Sequence, residues 1–231
     1  MNVLSPDDHA RINAAIAKAE MATCGEIFCV MARQASEYRE VPFAWAAAAA
    51  LVAPAFLIPM GFSPAWFDWV PGFGGWTAGH SAAAQATAAS TLFAYAVTQA
   101  AVFLVAAFVV SIPPIRRFLT PRRLKRDRAH RAALEQFLAK GMHLTTGRTG
   151  VLIYASLGDR QAEVIADEGI YAKVKPEVWN DALHRLTEGL GAGRPADGFI
   201  AAIETCGAVL AQHFPPGAEN PNEIADGLVE I

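Results

Sequence analysis

Glu26-Ile27-Phe28-Cys29-Val30-Met31-Ala32 and, far downstream, Gly150-Val151-Leu152-Ile153-Tyr154-Ala155 decide the architecture. Each is an almost unbroken apolar run opened by a glycine, Gly25 or Gly150. That is the pattern of a strand buried on both faces. Such a strand needs neighbours at its edges and helices above and below, which no single local segment supplies. The two runs are therefore expected to share one sheet, despite the long stretch of chain between them.

The remaining elements follow outward from these runs. Gln161-Ala162-Glu163-Val164-Ile165-Ala166 alternates as a third strand, and the turn Leu157-Gly158-Asp159-Arg160 before it marks a hairpin. Upstream, Ser5-Pro6-Asp7-Asp8 starts a helix with a capping hydroxyl, a first-turn proline and acids against the helix dipole. Ile12, Ala15, Ile16 and Ala19 then recur at helical spacing to about Ala22. Thr120-Pro121 opens a basic helix running to about Lys140, with Leu124, Ala132, Leu134, Phe137 and Leu138 as its apolar side and Gly141 as its stop. Two more helices are expected over residues 176–190 and 195–214, separated by Gly189-Leu190-Gly191-Ala192-Gly193, and the acidic tail 215–231 reads as extended. The sum is an α/β fold, a small mixed sheet flanked by helices. Its first part is 1–41, an insertion occupies 42–115, the second part is 116–214, and the tail follows.

The insertion has its own character. Residues 41–115 hold one charged side chain, Asp68, in a chain that is 18% charged and 53% hydrophobic. A soluble domain carries about 25% charge, so a desert of this length excludes an ordinary cytosolic globule, and the apolar content excludes disorder. Residues 91–112 contain Leu92, Phe93, Val97, Val102, Phe103, Leu104, Val105, Phe108, Val109, Val110 and Ile112. At roughly −0.3 to −0.6 kcal/mol each, they favour bilayer insertion by about −3 to −7 kcal/mol. Residues 43–60 are alanine-rich and carry Pro54 and Pro59. They read as a second span or as a buried or re-entrant helix; pairing with 91–112 as a transmembrane hairpin favours the span. Proline is tolerated in such a helix when a neighbouring group satisfies the freed carbonyl. The linker carries Phe62, Trp66, Phe67, Trp69, Phe73 and Trp76, aromatics of the kind that settle at the membrane interface.

Arg116, Arg117, Arg122, Arg123, Lys125 and Arg126 follow the second span and are expected to stay cytoplasmic against anionic headgroups. Two spans return the chain to its starting side. The expected location is thus a bacterial inner membrane, multi-pass, with both termini cytoplasmic. The basic run has no interleaved aromatic beyond Phe118 and no nucleic-acid motif, so no nucleic-acid partner is expected. Cys24, Cys29 and Cys206 form no CxxC and read as reduced thiols.

Leu4-Ser5-Pro6-Asp7-Asp8, Gly25-Glu26-Ile27, Val151-Leu152-Ile153-Tyr154-Ala155-Ser156, Asp159-Arg160, Val164-Ile165-Ala166-Asp167-Glu168-Gly169-Ile170 and Trp179 resemble the motifs of the TPM-domain family. The chain is similar in particular to bacterial membrane proteins with two transmembrane helices set within such a domain. The resemblance implies a Rossmann-like α/β sandwich, and in the family some members are described as acid phosphatases, some bind calcium and others assist membrane complexes. Two positions depart from the family: Met1-Asn2-Val3 replaces the acidic residue that often precedes the Leu-Ser start, and the turn after the third strand lacks the second glycine.

Candidate chemistry centres on carboxylates. Asp167 and Glu168 leave a strand before Gly169, and Asp159 in the hairpin turn and Glu26 on the first strand could join them around calcium. That ion takes several oxygen ligands from adjustable loops. No GxSxG, HExxH or P-loop occurs. The function expected is a cytoplasmic binding or assembly module that engages a membrane-protein partner or its own copies. The alternative is a phosphatase dependent on calcium or magnesium.

Overall fold

The computed structural model describes residues 4–57, 59–60, 83–217 and 221–231. The aromatic linker and its glycines lie outside the described residues. The chain divides into two compact units, one built from Met1–Glu37 with Pro121–Ile231 and the other from Tyr38–Thr120.

In the first unit, α1 (Pro6–Glu20) starts at a capping box: Asp8 N–H donates to Ser5 Oγ at 3.1 Å and Ser5 N–H donates to Asp8 Oδ2 at 3.2 Å. Strand β1 (Glu26–Ala32) follows and is buried along its whole length. It pairs in parallel with β2 (Gly150–Ser156), Glu26 opposite Gly150 and Ala32 opposite Ser156. β2 turns back into antiparallel β3 (Gln161–Ala166).

Alternation sends the two sets of side chains into two cores. Ile27, Cys29, Met31, Val151 and Ile153 pack with residues of α1, α7 (Asn180–Gly191) and α8 (Pro195–His213). Phe28, Val30, Leu152, Tyr154 and Ile165 pack against α5 (Arg122–Ala139). Helices thus cover both faces, which is why polar–apolar alternation is missing between Glu26 at the start of β1 and Ser156 at the end of β2.

Two features correct the sequence reading. The face of α5 that meets the sheet is Ala129, Ala133 and Phe137, whereas Leu134 and Leu138 are exposed. Alanines let the helix approach closely, so the longer leucines are turned outward. The tail, expected merely to be extended, supplies β4 (Leu228–Glu230), which pairs in parallel with β1 and completes the order β3-β2-β1-β4. The fold is a mixed α/β one, a four-stranded sheet with eight α-helices among the described residues. The other four helices of this set are α6 (Glu168–Tyr171) and, in the second unit, the three below.

That second unit pairs α2 (Glu40–Leu57) with α3 (Ala83–Ser111), followed by α4 (Pro113–Leu119). α3 begins earlier than expected from hydropathy, because the alanine-rich segment 83–90 extends it, whereas α2 starts three residues before the expected 43–60. Pro54 lies inside α2, and Gln99 Nε2 donates to the Ala50 carbonyl at 3.2 Å. Among the described residues α2 is long and apolar enough to cross a bilayer, with mean hydropathy 1.6. Tyr95–Ser111 passes the same criterion only together with Pro113–Leu119, across a 97° bend.

Candidate functional site

The hairpin register separates the proposed carboxylates. Asp159 stands in the turn at the carboxyl ends of β1 and β2, whereas Asp167 leaves the far end of β3 and donates its N–H to Gly150 O at 2.9 Å. A six-residue strand rising ~3.3 Å per residue holds them ~20 Å apart. Glu26 is at the same end as Asp167 but two strands away, with β2 between them, or roughly 10 Å of backbone. Asp159, Asp167, Glu168 and Glu26 therefore form no common ion site. Among the described residues no group of three His, Cys, Asp or Glu side chains is placed to hold a metal.

Each carboxylate instead has local work. Asp167 caps α6 by accepting from Glu168 N–H at 2.7 Å, and its Oδ2 lies 3.0 Å from Arg148 Nε. Glu168 is exposed and 3.5 Å from Arg148 Nη2. Glu26 is buried and accepts from the backbone N–H groups of Glu223 and Ile224, both at 3.3 Å. Burial pushes its pKa up, against the opposing pull of those two amides.

Beside it lies a group the sequence reading missed. Glu20 is buried at the end of α1 and accepts from Ile27 N–H at 2.7 Å. Burial, the chief cause, raises its pKa to about 8; the Ile27 amide opposes the shift, while Glu26 and Asp226 add to it. The signal was present, since Glu20 continues the buried stripe Ile12–Ile16 at four-residue spacing.

The opposite end of the sheet carries Asp159. Asp159 Oδ2 accepts from Ala35 N–H and Ser156 Oγ, each at 2.8 Å. Asp159 Oδ1, Tyr154 Oη and Gln34 Nε2 are buried without a hydrogen-bond partner. Burial first, then the charges of Asp159 and Glu135, push the Tyr154 phenol up to about 12. In open α/β sheets ligands lie beyond the carboxyl ends of parallel strands, and β1 and β2 end here. The set contains one carboxylate and no base–nucleophile pair. Cys29 and Cys206 do not supply a nucleophile, because burial raises both thiols, that of Cys206 to about 12.

The basic run is divided between helices, Arg116 and Arg117 on α4 and Arg122, Arg123, Lys125 and Arg126 on α5. Arg117, Arg122, Arg123 and Arg126 are exposed. Arg11, Arg148, Arg185 and Arg194 pair with carboxylates, whereas among the described residues no ion pair engages these four. Farther along α5, Arg126, Asp127, His130 and Arg131 line a shallow polar groove with Glu163 of β3.

No family model matches the chain, and no curated protein matches it. Among solved structures, the NMR structure of the BA42 protein from the psychrophilic bacterium Bizionia argentinensis is similar, with a TM-score of 0.54. The match covers 98% of this chain and 94% of that one at 16% sequence identity. The likeness is one of fold, consistent with a small bacterial α/β domain.

Proposed function

We propose that the chain is a bacterial inner-membrane protein in which two spans are set into a TPM-like α/β domain, and that this domain is a cytoplasmic binding or assembly module. The observation that carries the reading is the surface of the α2–α3 pair. Leu51, Phe56, Leu104 and Phe108 are each at least 66% exposed there, in a stretch whose one charged residue is Asp68. Apolar surface of that extent and continuity needs lipid or another apolar partner. Arg117 of α4 and Arg122, Arg123 and Arg126 of α5, exposed and outside any ion pair among the described residues, suit anionic headgroups on the cytoplasmic face, and the resemblance of the sequence motifs to those of the TPM-domain family supports the assembly role.

The module engages a membrane-protein partner or a second copy of itself. Chemical crosslinking of the full chain in intact bacterial membranes tests this. An adduct above monomer mass is expected, together with retention in the membrane pellet after an alkaline carbonate wash. A chain that pellets but stays uncrosslinked at every reagent concentration contradicts the assembly role, and one released by the wash contradicts the spans. The phosphatase reading has no assembled ligand set among the described residues, so no hydrolysis of p-nitrophenyl phosphate is expected in millimolar calcium or magnesium.

A further inference from the structure

Helix α5 presents leucine to solvent where its core contacts do not use it. Ala129, Ala133 and Phe137, four residues apart, make the stripe that meets the sheet. Leu134 follows Ala133 and Leu138 follows Phe137, a rotation of about 100° away from that stripe. These two leucines are 43% and 52% exposed. Leu144, beyond the left-handed stop at Gly141, is 75% exposed. Its side chain folds back on the helix end: a Cβ on Gly141 would lie 3.6 Å from Leu144 Cδ1, and Gly141 N–H donates to the Leu138 carbonyl at 3.1 Å. Three exposed leucines thus gather at the carboxyl half of one helix.

The amino half is basic. α5 carries six Arg or Lys side chains and two acidic ones, Asp127 and Glu135, in a chain whose net charge is −3. Positive charge is collected here while the rest of the chain is net acidic. Arg122, Arg123, Arg126 and Arg131 are exposed, and among the described residues no ion pair engages them. Arg123 and Arg131 stand one helical turn to either side of Asp127, so its charge is offset on both sides.

We infer that the outward face of α5 is a lipid-binding surface. Leu134, Leu138 and Leu144 enter the boundary between headgroups and acyl chains of an anionic bilayer, and Arg122, Arg123, Arg126 and Arg131 take the phosphates. The inference rests on the proposed spans, because α5 begins at Arg122, soon after them in the chain. Arginine suits this position: its methylene stem lies along apolar surface while the guanidinium extends to the headgroups. A protein partner would have to match three leucines and four separate guanidiniums with one fixed surface. A fluid anionic leaflet supplies phosphate wherever each arginine reaches.

Nitroxide labelling of the full chain in lipid vesicles tests the surface. Cys24→Ser removes the half-buried thiol and leaves Cys29 and Cys206 buried, and Leu138→Cys supplies the label site. In vesicles containing phosphatidylglycerol the label should meet oxygen more often than an aqueous nickel chelate, at a depth of about 5–10 Å. A label at Glu188→Cys, exposed on α7 across the sheet from α5, should read as aqueous. In vesicles of phosphatidylcholine alone the label at position 138 should move out toward water. Leu134→Cys is the second site, with the same expectation, should labelling at 138 disturb the fold.

A label that reads as aqueous in a chain still resisting the alkaline carbonate wash overturns this inference and leaves the spans standing. Release by the wash overturns both. A label shielded from oxygen and nickel alike marks a protein occupant, and equal depth in the two lipids removes the arginines from the contact; either result overturns the proposal.

Discussion

Gln99 Nε2 donates to the carbonyl of Ala50 at 3.2 Å, and Ala50 is the residue whose helical partner would have been the missing N–H of Pro54. A proline at position i leaves the carbonyl at i−4 without an intrahelical donor. In α2 that donor comes from α3, so the irregularity of one helix is repaired by a polar side chain of the other. This explains how a proline sits within α2 without ending it, and why an apolar helix such as α3 keeps a glutamine.

Replacing Gln99 with leucine should therefore destabilise the detergent-solubilised protein by about 0.6–2 kcal/mol, the range for interhelical hydrogen bonds in membranes. The effect should shrink when Pro54→Ala restores the intrahelical bond, and thermal unfolding of the four members of that cycle measures the coupling. Equal losses from Gln99→Leu in both backgrounds would show that the side chain does not serve this carbonyl.

Asp159 and Asp167 should behave as separate structural residues. Asp159→Ala leaves Ala35 N–H and Ser156 Oγ without their acceptor and should cost about 1–3 kcal/mol. Asp167→Ala removes the cap of α6 and the partner of Arg148, for about 1 kcal/mol. The double variant should lose the sum in chemical denaturation, because additivity holds at such separations. A strongly non-additive result would place the two in one shared site.

Gly189 marks the tightest helix crossing. A Cβ built there would lie 2.4 Å from the Cα of Gly198, so α7 and α8 touch backbone to backbone. Gly189→Ala should lower stability by about 1–3 kcal/mol by overpacking. Gly191→Ala, two residues on, meets nothing within 4 Å and should lack that penalty. Denaturation midpoints that fall equally for both would contradict the close crossing.

What the sequence disclosed depended on how much of each element's environment is written locally. β1 and β2 were legible because burial on both faces leaves an unbroken apolar run, and α1 because its capping box and proline are adjacent in the chain. β4 was not, since three residues carry no alternation and its position is set by the β1 edge. The contact face of α5 was misassigned because hydrophobicity favours leucine where close approach selects Ala129 and Ala133. The carboxylates were grouped on the expectation that the sheet would bring them together, although the length of β3 already places Asp159 and Asp167 at opposite ends. Glu20 was hidden by its charge, since a buried stripe is read from apolar residues alone.

The topology of the inserted hairpin is tested most directly by compartment reporters placed in the full chain. One fused after Ile231 and one inserted after Glu37 should both be active in the cytoplasm, and one inserted at Gly74 should be active outside. Activity of the first two on opposite sides of the membrane, or of all three on one side, would contradict a sheet assembled from segments that flank two spans.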